Sequence, residues 1–147
     1  MPKQSLFRFI KLWKRYELRE NRNDVPLSTR GVYVLYAKRN GLMKVVYIGV
    51  AGLGKTGGGG IRSRLRTHNR RIKDWTHYSY FEVHDNITRE EIREIESLLL
   101  CIFRHDSRIK LANKQTGSKR LLGLRKKKCI NSVLLYQSRG VRLRIQR

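Results

Sequence analysis

Two β-rich runs, GVYVLYA at residues 31–37 and MKVVYIG at residues 43–49, flank Arg39-Asn40-Gly41. Asn-Gly between such runs suits the left-handed turn of a short hairpin, which commits this stretch to an antiparallel sheet. A third strand is expected over residues 77–84. The glycine-rich stretch at 52–60 interrupts regular structure, and a helix is expected from Ile61 to about Asp74. Thr88-Arg89-Glu90-Glu91 has the form of a capping box, with Thr88 as N-cap, and opens a second helix from Arg89 to about Arg104. The expected fold class is α+β: a small three-stranded, mainly antiparallel sheet flanked by helices in the order β-β-α-β-α.

The flanks divide the chain into three parts. Leu6, Phe9, Ile10, Trp13 and Tyr16 are spaced by threes and fours, which predicts an amphipathic helix over residues 5–19 with a basic outer face. Residues 1–30 are therefore expected to be that helix and a connecting loop, residues 31–115 the core, and residues 116–147 a basic C-terminal extension. In the extension Leu121-Leu122 suggests a short helix, and residues 132–145 include strand-like pieces.

Charge narrows the partners. The 147 residues hold 34 Lys and Arg against 11 Asp and Glu, a net charge of +23. Basic residues run from Lys3 to Arg147 instead of forming one juxtamembrane cluster, which favours a nucleic acid over a membrane surface. The longest apolar run, residues 98–103, is too short to span a bilayer. Cys101 and Cys129 lie far apart, so neither a disulfide framework nor a zinc site is evident. The expectation is a soluble, cytoplasmic protein acting on nucleic acid.

Residues 49–56, GVAGLGKT, match the phosphate-loop pattern GxxxxGK[ST]. That loop works when a helix begins at its Lys-Thr and aims N–H groups at the phosphates. Here Thr56 is followed by four glycines, which oppose a helix start, so a nucleotide triphosphatase is the weaker reading.

Glu96 stands out on the second expected helix. Ile92, Ile95, Leu99, Ile102 and Phe103 define its apolar stripe, and Glu96 falls within it. A carboxylate turned toward a core must be compensated by a metal, by a basic partner or by a raised pKa, and a structural ion pair with an arginine is one such outcome. Glu90, Glu91 and Glu94 crowd the first turns, where the helix dipole favours negative charge. On the helix from Ile61, Ile61, Leu65 and Ile72 share a buried stripe bordered by Arg64 and His68, which are neighbours four residues apart. Arg62, Arg66, Arg70 and Lys73 fall on another face and are candidates for phosphate contact.

Taken together, these residues resemble the GIY-YIG nuclease family over residues 31–115. Gly31-Val32-Tyr33 corresponds to the first signature triplet and Tyr47-Ile48-Gly49 to the second; Arg64 with His68, Glu96 and Asn113 follow in order. Val32 stands where Ile is usual, the stretch between the tyrosines is somewhat long, the loop at 57–60 lengthens the run to Arg64, and His68 occupies a position where many members carry Tyr. The resemblance implies a DNA endonuclease with a single-metal mechanism, Glu96 holding Mg²⁺ (or Mn²⁺), and 3′-hydroxyl and 5′-phosphate products. It also implies Arg64 bracing the scissile phosphate and Tyr33 as general base, with His68 or Tyr47 positioning the water or passing on its proton. Asn113 would have a supporting role. The alternative is a non-catalytic nucleic-acid-binding module of the same fold. DNA is the expected partner, no protein partner is evident, and the sequence leaves the oligomeric state open.

Overall fold

The computed structural model describes residues 9–54, 59–105 and 109–113. It contains β1 (Ile10–Leu18), a 3-10 turn (Arg19–Asn23), β2 (Gly31–Arg39), β3 (Leu42–Ala51), α1 (Ile61–Arg71), β4 (His77–Val83) and α2 (Arg89–His105). The strands form one antiparallel sheet in the order β1-β4-β2-β3. The class is thus α+β, with four strands instead of the expected three.

The added strand replaces the helix expected over residues 5–19. Ile10 pairs with Val83 and Leu12 with Glu82, then Lys14 with Tyr80 and Glu17 with Tyr78, so β1 carries extra residues at two irregularities. Each extra residue interrupts the two-residue alternation of a strand and resets which side faces inward. Ile10, Trp13 and Tyr16 thereby acquire a spacing of three, which imitates a helix. The segment is also an edge strand with Leu12, Trp13, Tyr16 and Leu18 all exposed. Such a strand lacks the burial contrast that would reveal its true period.

The hairpin forms as expected. Arg39 pairs with Leu42 across Asn40 and Gly41, whose φ values of 50° and 76° are those of a type I′ turn. Alternate residues of β2 supply the two sides of the sheet. Tyr33 and Leu35 join Ile61 and Leu65 of α1, together with Trp75, Tyr78 and Tyr80, in one core. Val32 and Val34 join Ile48, Val83 and the α2 residues Ile92 and Leu100 in the other. The helices therefore cover opposite faces.

α1 stops at Arg71, three residues before the expected end. Ile72 turns to extended backbone while its N–H still bonds to the His68 carbonyl, and this turn carries Ile72 and Trp75 toward the core. Arg19 closes the same corner. Its guanidinium donates to the carbonyls of Asn69, Lys73 and Trp75, to the Asn69 side chain at 2.6 Å, and lies over the Trp75 ring. Satisfying carbonyls left open at a helix end is a role suited to arginine.

At the start of α2 the capping box is present. Glu91 accepts from the Thr88 N–H at 2.7 Å and from its hydroxyl at 2.8 Å, while the Glu91 N–H donates to Thr88 Oγ1 at 3.2 Å. The apolar stripe is rotated slightly from the expected one: Ile92 and Leu100 are buried, Ile95, Leu99 and Phe103 are partly buried, and Ile102 is exposed. The elements expected in residues 116–147 and the basic run at 125–128 lie outside the described residues. No helix among the described residues is long and apolar enough to cross a membrane.

Candidate active site

β2, β3 and α1 converge on a cluster of three rings. Tyr33, from β2, is fully buried, and its hydroxyl lies 2.7 Å from Nε2 of His68, from α1. Tyr47, from β3, faces both: its ring centroid is 4.3 Å from that of His68 and 6.0 Å from that of Tyr33. The second triplet's glycine makes this possible. A Cβ at Gly49 would stand 2.7 Å from the Tyr33 hydroxyl and 2.7 Å from the edge of the Tyr47 ring, so a larger residue would drive the tyrosines apart.

Arg64, one turn before His68, is exposed and acts electrostatically on all three rings. Glu96, from α2, raises the pKa of both tyrosine hydroxyls, which puts its charge within reach of the cluster. Tyr33, Tyr47, Arg64, His68 and Glu96 thus form one electrostatic neighbourhood. Arg62, Arg66 and Arg70 continue along α1. Arg66 is held by Asn23, whose side-chain oxygen accepts from its Nε and Nη2, and Arg70 and Lys73 are exposed.

The protonation states follow from burial and charge. Burial, reinforced by Tyr47 and Glu96 and opposed by Arg64, raises Tyr33 far above the ordinary phenol range. Arg64 favours the phenolate, but desolvation outweighs it. His68 is pushed below the ordinary imidazole range by burial and then by Arg64 and Arg71, so it is neutral at neutral pH. The effect of Arg71 was not anticipated, although its spacing of three from His68 was the available signal. Nε2 of His68 is engaged by Tyr33, whereas its buried Nδ1 has no partner among the described residues.

Glu96 is half-buried, and burial raises its pKa against the lowering effect of Arg93. It makes no salt bridge within 4 Å to a described residue. The buried ion pair that its position allowed is therefore not what compensates it among the described residues. A partly desolvated carboxylate without a bound cation suits a hard divalent ion. No group of three or more His, Cys, Asp or Glu side chains gathers as a metal site among the described residues, so a metal here would rest on Glu96, water and substrate oxygens.

Asn113 is a structural clamp. Its side-chain oxygen accepts from the Ile48 N–H at 3.0 Å and its amide donates to the Ile48 carbonyl at 2.6 Å, while the Ala112 N–H donates to the Val46 carbonyl. The side chain imitates a neighbouring strand and holds β3 beside Tyr47. Of the phosphate-loop pattern, residues 49–51 end β3 and Lys55 and Thr56 lie outside the described residues; α1 begins at Ile61. The adjoining sheet is antiparallel, unlike the parallel sheet of nucleotide-binding folds.

Comparison with family models, with curated proteins and with solved structures finds no match to this chain.

Proposed function

We propose that this chain is an endonuclease that hydrolyses DNA phosphodiester bonds, with Glu96 as the ligand of one divalent metal ion. The observation that carries the reading is the meeting of the Tyr33–His68–Tyr47 ring cluster with an exposed Arg64 and a half-buried Glu96 that makes no salt bridge to a described residue. A fold needs no such combination, because a half-buried carboxylate and a buried histidine nitrogen that find no partner among the described residues both cost stability. The two triplets that resemble the GIY-YIG family supply the tyrosines of this cluster, and the net charge of +23 suits a polyanionic substrate.

Glu96 would hold Mg²⁺ or Mn²⁺, which when bound would supply Lewis acidity to a phosphate oxygen. Arg64 binds the phosphate and offsets the charge that grows on it during displacement. Tyr33 stays protonated and serves as a relay: it takes a proton from the attacking water as its own hydroxyl proton passes to Nε2 of neutral His68. In this arrangement Tyr33 need not exist as phenolate, and His68 is the final acceptor. Tyr47 holds the ring of His68 in place.

The test is incubation of the purified full chain with supercoiled plasmid and Mg²⁺, with and without chelator. The proposal expects nicked and linear products, their loss with chelator, and cut ends bearing 3′-hydroxyl and 5′-phosphate groups. Glu96→Ala is expected to lower the rate by about a hundredfold or more. Plasmid that stays intact across Mg²⁺, Mn²⁺ and Ca²⁺ while the protein still binds it would favour a non-catalytic binding module.

A further inference from the structure

α2 covers only part of its face of the sheet. Its apolar residues rest on β2 and β3, while the β4 and β1 side of the same face carries a row of aromatic rings. Trp13 pairs with Phe81, which pairs with Val32 of the α2-side core, so Trp13 and Phe81 share that face. Tyr16 lies there too, its ring centroid 5.1 Å from that of Tyr36 across the small, buried Ser79.

Trp13 is 50% exposed and Tyr16 54%. The backbone at Tyr16 has φ 57°, a left-handed conformation that few aromatic residues adopt, and its N–H is held by Ser79 Oγ at 3.0 Å. The strand thus accepts local strain to present this ring. Between the two rings β1 places Arg15, exposed and without an ion pair to any described residue, while Lys14 pairs with Tyr80 and falls on the α1 face.

Exposed aromatic rings on a sheet, with an exposed arginine between them in a chain of net charge +23, match the chemistry of an unpaired nucleic-acid strand. Bases stack on the rings and phosphates meet the arginine, a combination that duplex DNA, with its bases already stacked, cannot use. We propose that the β1–β4 side of the α2 face is a binding platform for single-stranded nucleic acid, with Trp13 and Tyr16 as its principal stacking residues. The platform is separate from the Tyr33–His68 cluster, since Tyr33 belongs to the α1-side core, and it does not depend on cleavage.

Tryptophan fluorescence offers a direct test because Trp75 is fully buried and Trp13 is the other tryptophan. The full chain is titrated, without divalent metal, with oligothymidylate, oligouridylate and a mixed-sequence duplex, each of about 12 units. The single strands are expected to quench the emission. Trp13→Ala and Tyr16→Ala are each expected to weaken single-strand binding by about tenfold, with Trp13→Phe retaining most of it and duplex binding little changed. The tighter of the two single strands identifies DNA or RNA as the source. Absence of quenching, retention of single-strand affinity in both alanine variants, or an equal loss of duplex binding would overturn the proposal. Circular dichroism and binding to plasmid establish that the variants are folded. An intact plasmid in the cleavage assay leaves this result unaffected, so the two readings fail separately.

Discussion

At the scale of single residues, the site combines groups whose charges the fold disfavours. Glu96 has a folded-state pKa raised by burial, so it binds its proton more tightly folded than unfolded. The stability this contributes is present below the unfolded value of about 4.3 and is lost as pH rises through the folded one. At neutral pH the ionised carboxylate is therefore a liability that the proposed metal ion would relieve. Glu96→Gln is expected to raise the melting temperature of the metal-free protein, while Mg²⁺ raises that of the parent and leaves the variant unchanged. Differential scanning fluorimetry with and without Mg²⁺ checks both.

His68 has the opposite sign relation. Its folded pKa is lowered, so the unfolded chain takes up the proton more readily. Stability is whole above the unfolded value of about 6.5 and declines as pH falls from there through the folded value. Melting temperature measured across this range is expected to drop on acidification, and less steeply in His68→Gln. A variant as pH-sensitive as the parent would show that other groups govern the decline.

At the scale of elements, the site depends on how closely β2 and β3 approach. Gly49→Ala sets a methyl group against the Tyr33 hydroxyl and the Tyr47 ring. Overpacking of this kind costs about 1–3 kcal/mol, and it also breaks the Tyr33–His68 contact. The variant is expected to melt earlier and to lose most cleavage; normal activity would mean that the ring cluster is incidental.

Elements with strong local signals were legible in the sequence. Asn40-Gly41 marks the hairpin, Thr88 with Glu91 marks the start of α2, and the two triplets and the α1 spacing identify Tyr33, Tyr47, Arg64 and His68. The character of β1 was not legible, because its irregular pairing gives Ile10, Trp13 and Tyr16 a helix-like spacing. The end of α1 was missed because it is set by contacts distant in sequence, from Arg19 and the buried Trp75. Asn113 was legible as a position but not as a clamp, since its partner is the Ile48 backbone 65 residues away.

At the scale of the whole molecule, charge governs association. With a net charge of +23, binding to duplex DNA is expected to release counterions from every phosphate contacted. For six or more contacts the affinity is expected to fall by about a thousandfold or more between roughly 50 and 200 mM salt. Fluorescence anisotropy across that range checks it, and a flat profile would contradict electrostatic binding. In the proposed reading the charge would account for attraction to DNA and the Glu96 neighbourhood for its hydrolysis, and the two are separable.

That separation is tested most directly by measuring plasmid nicking and plasmid binding side by side for the parent chain and Glu96→Gln in Mg²⁺. Loss of nicking by about a hundredfold with binding intact is the predicted result. Equal nicking by the two proteins would contradict the assignment of Glu96 and, with it, the proposed mechanism.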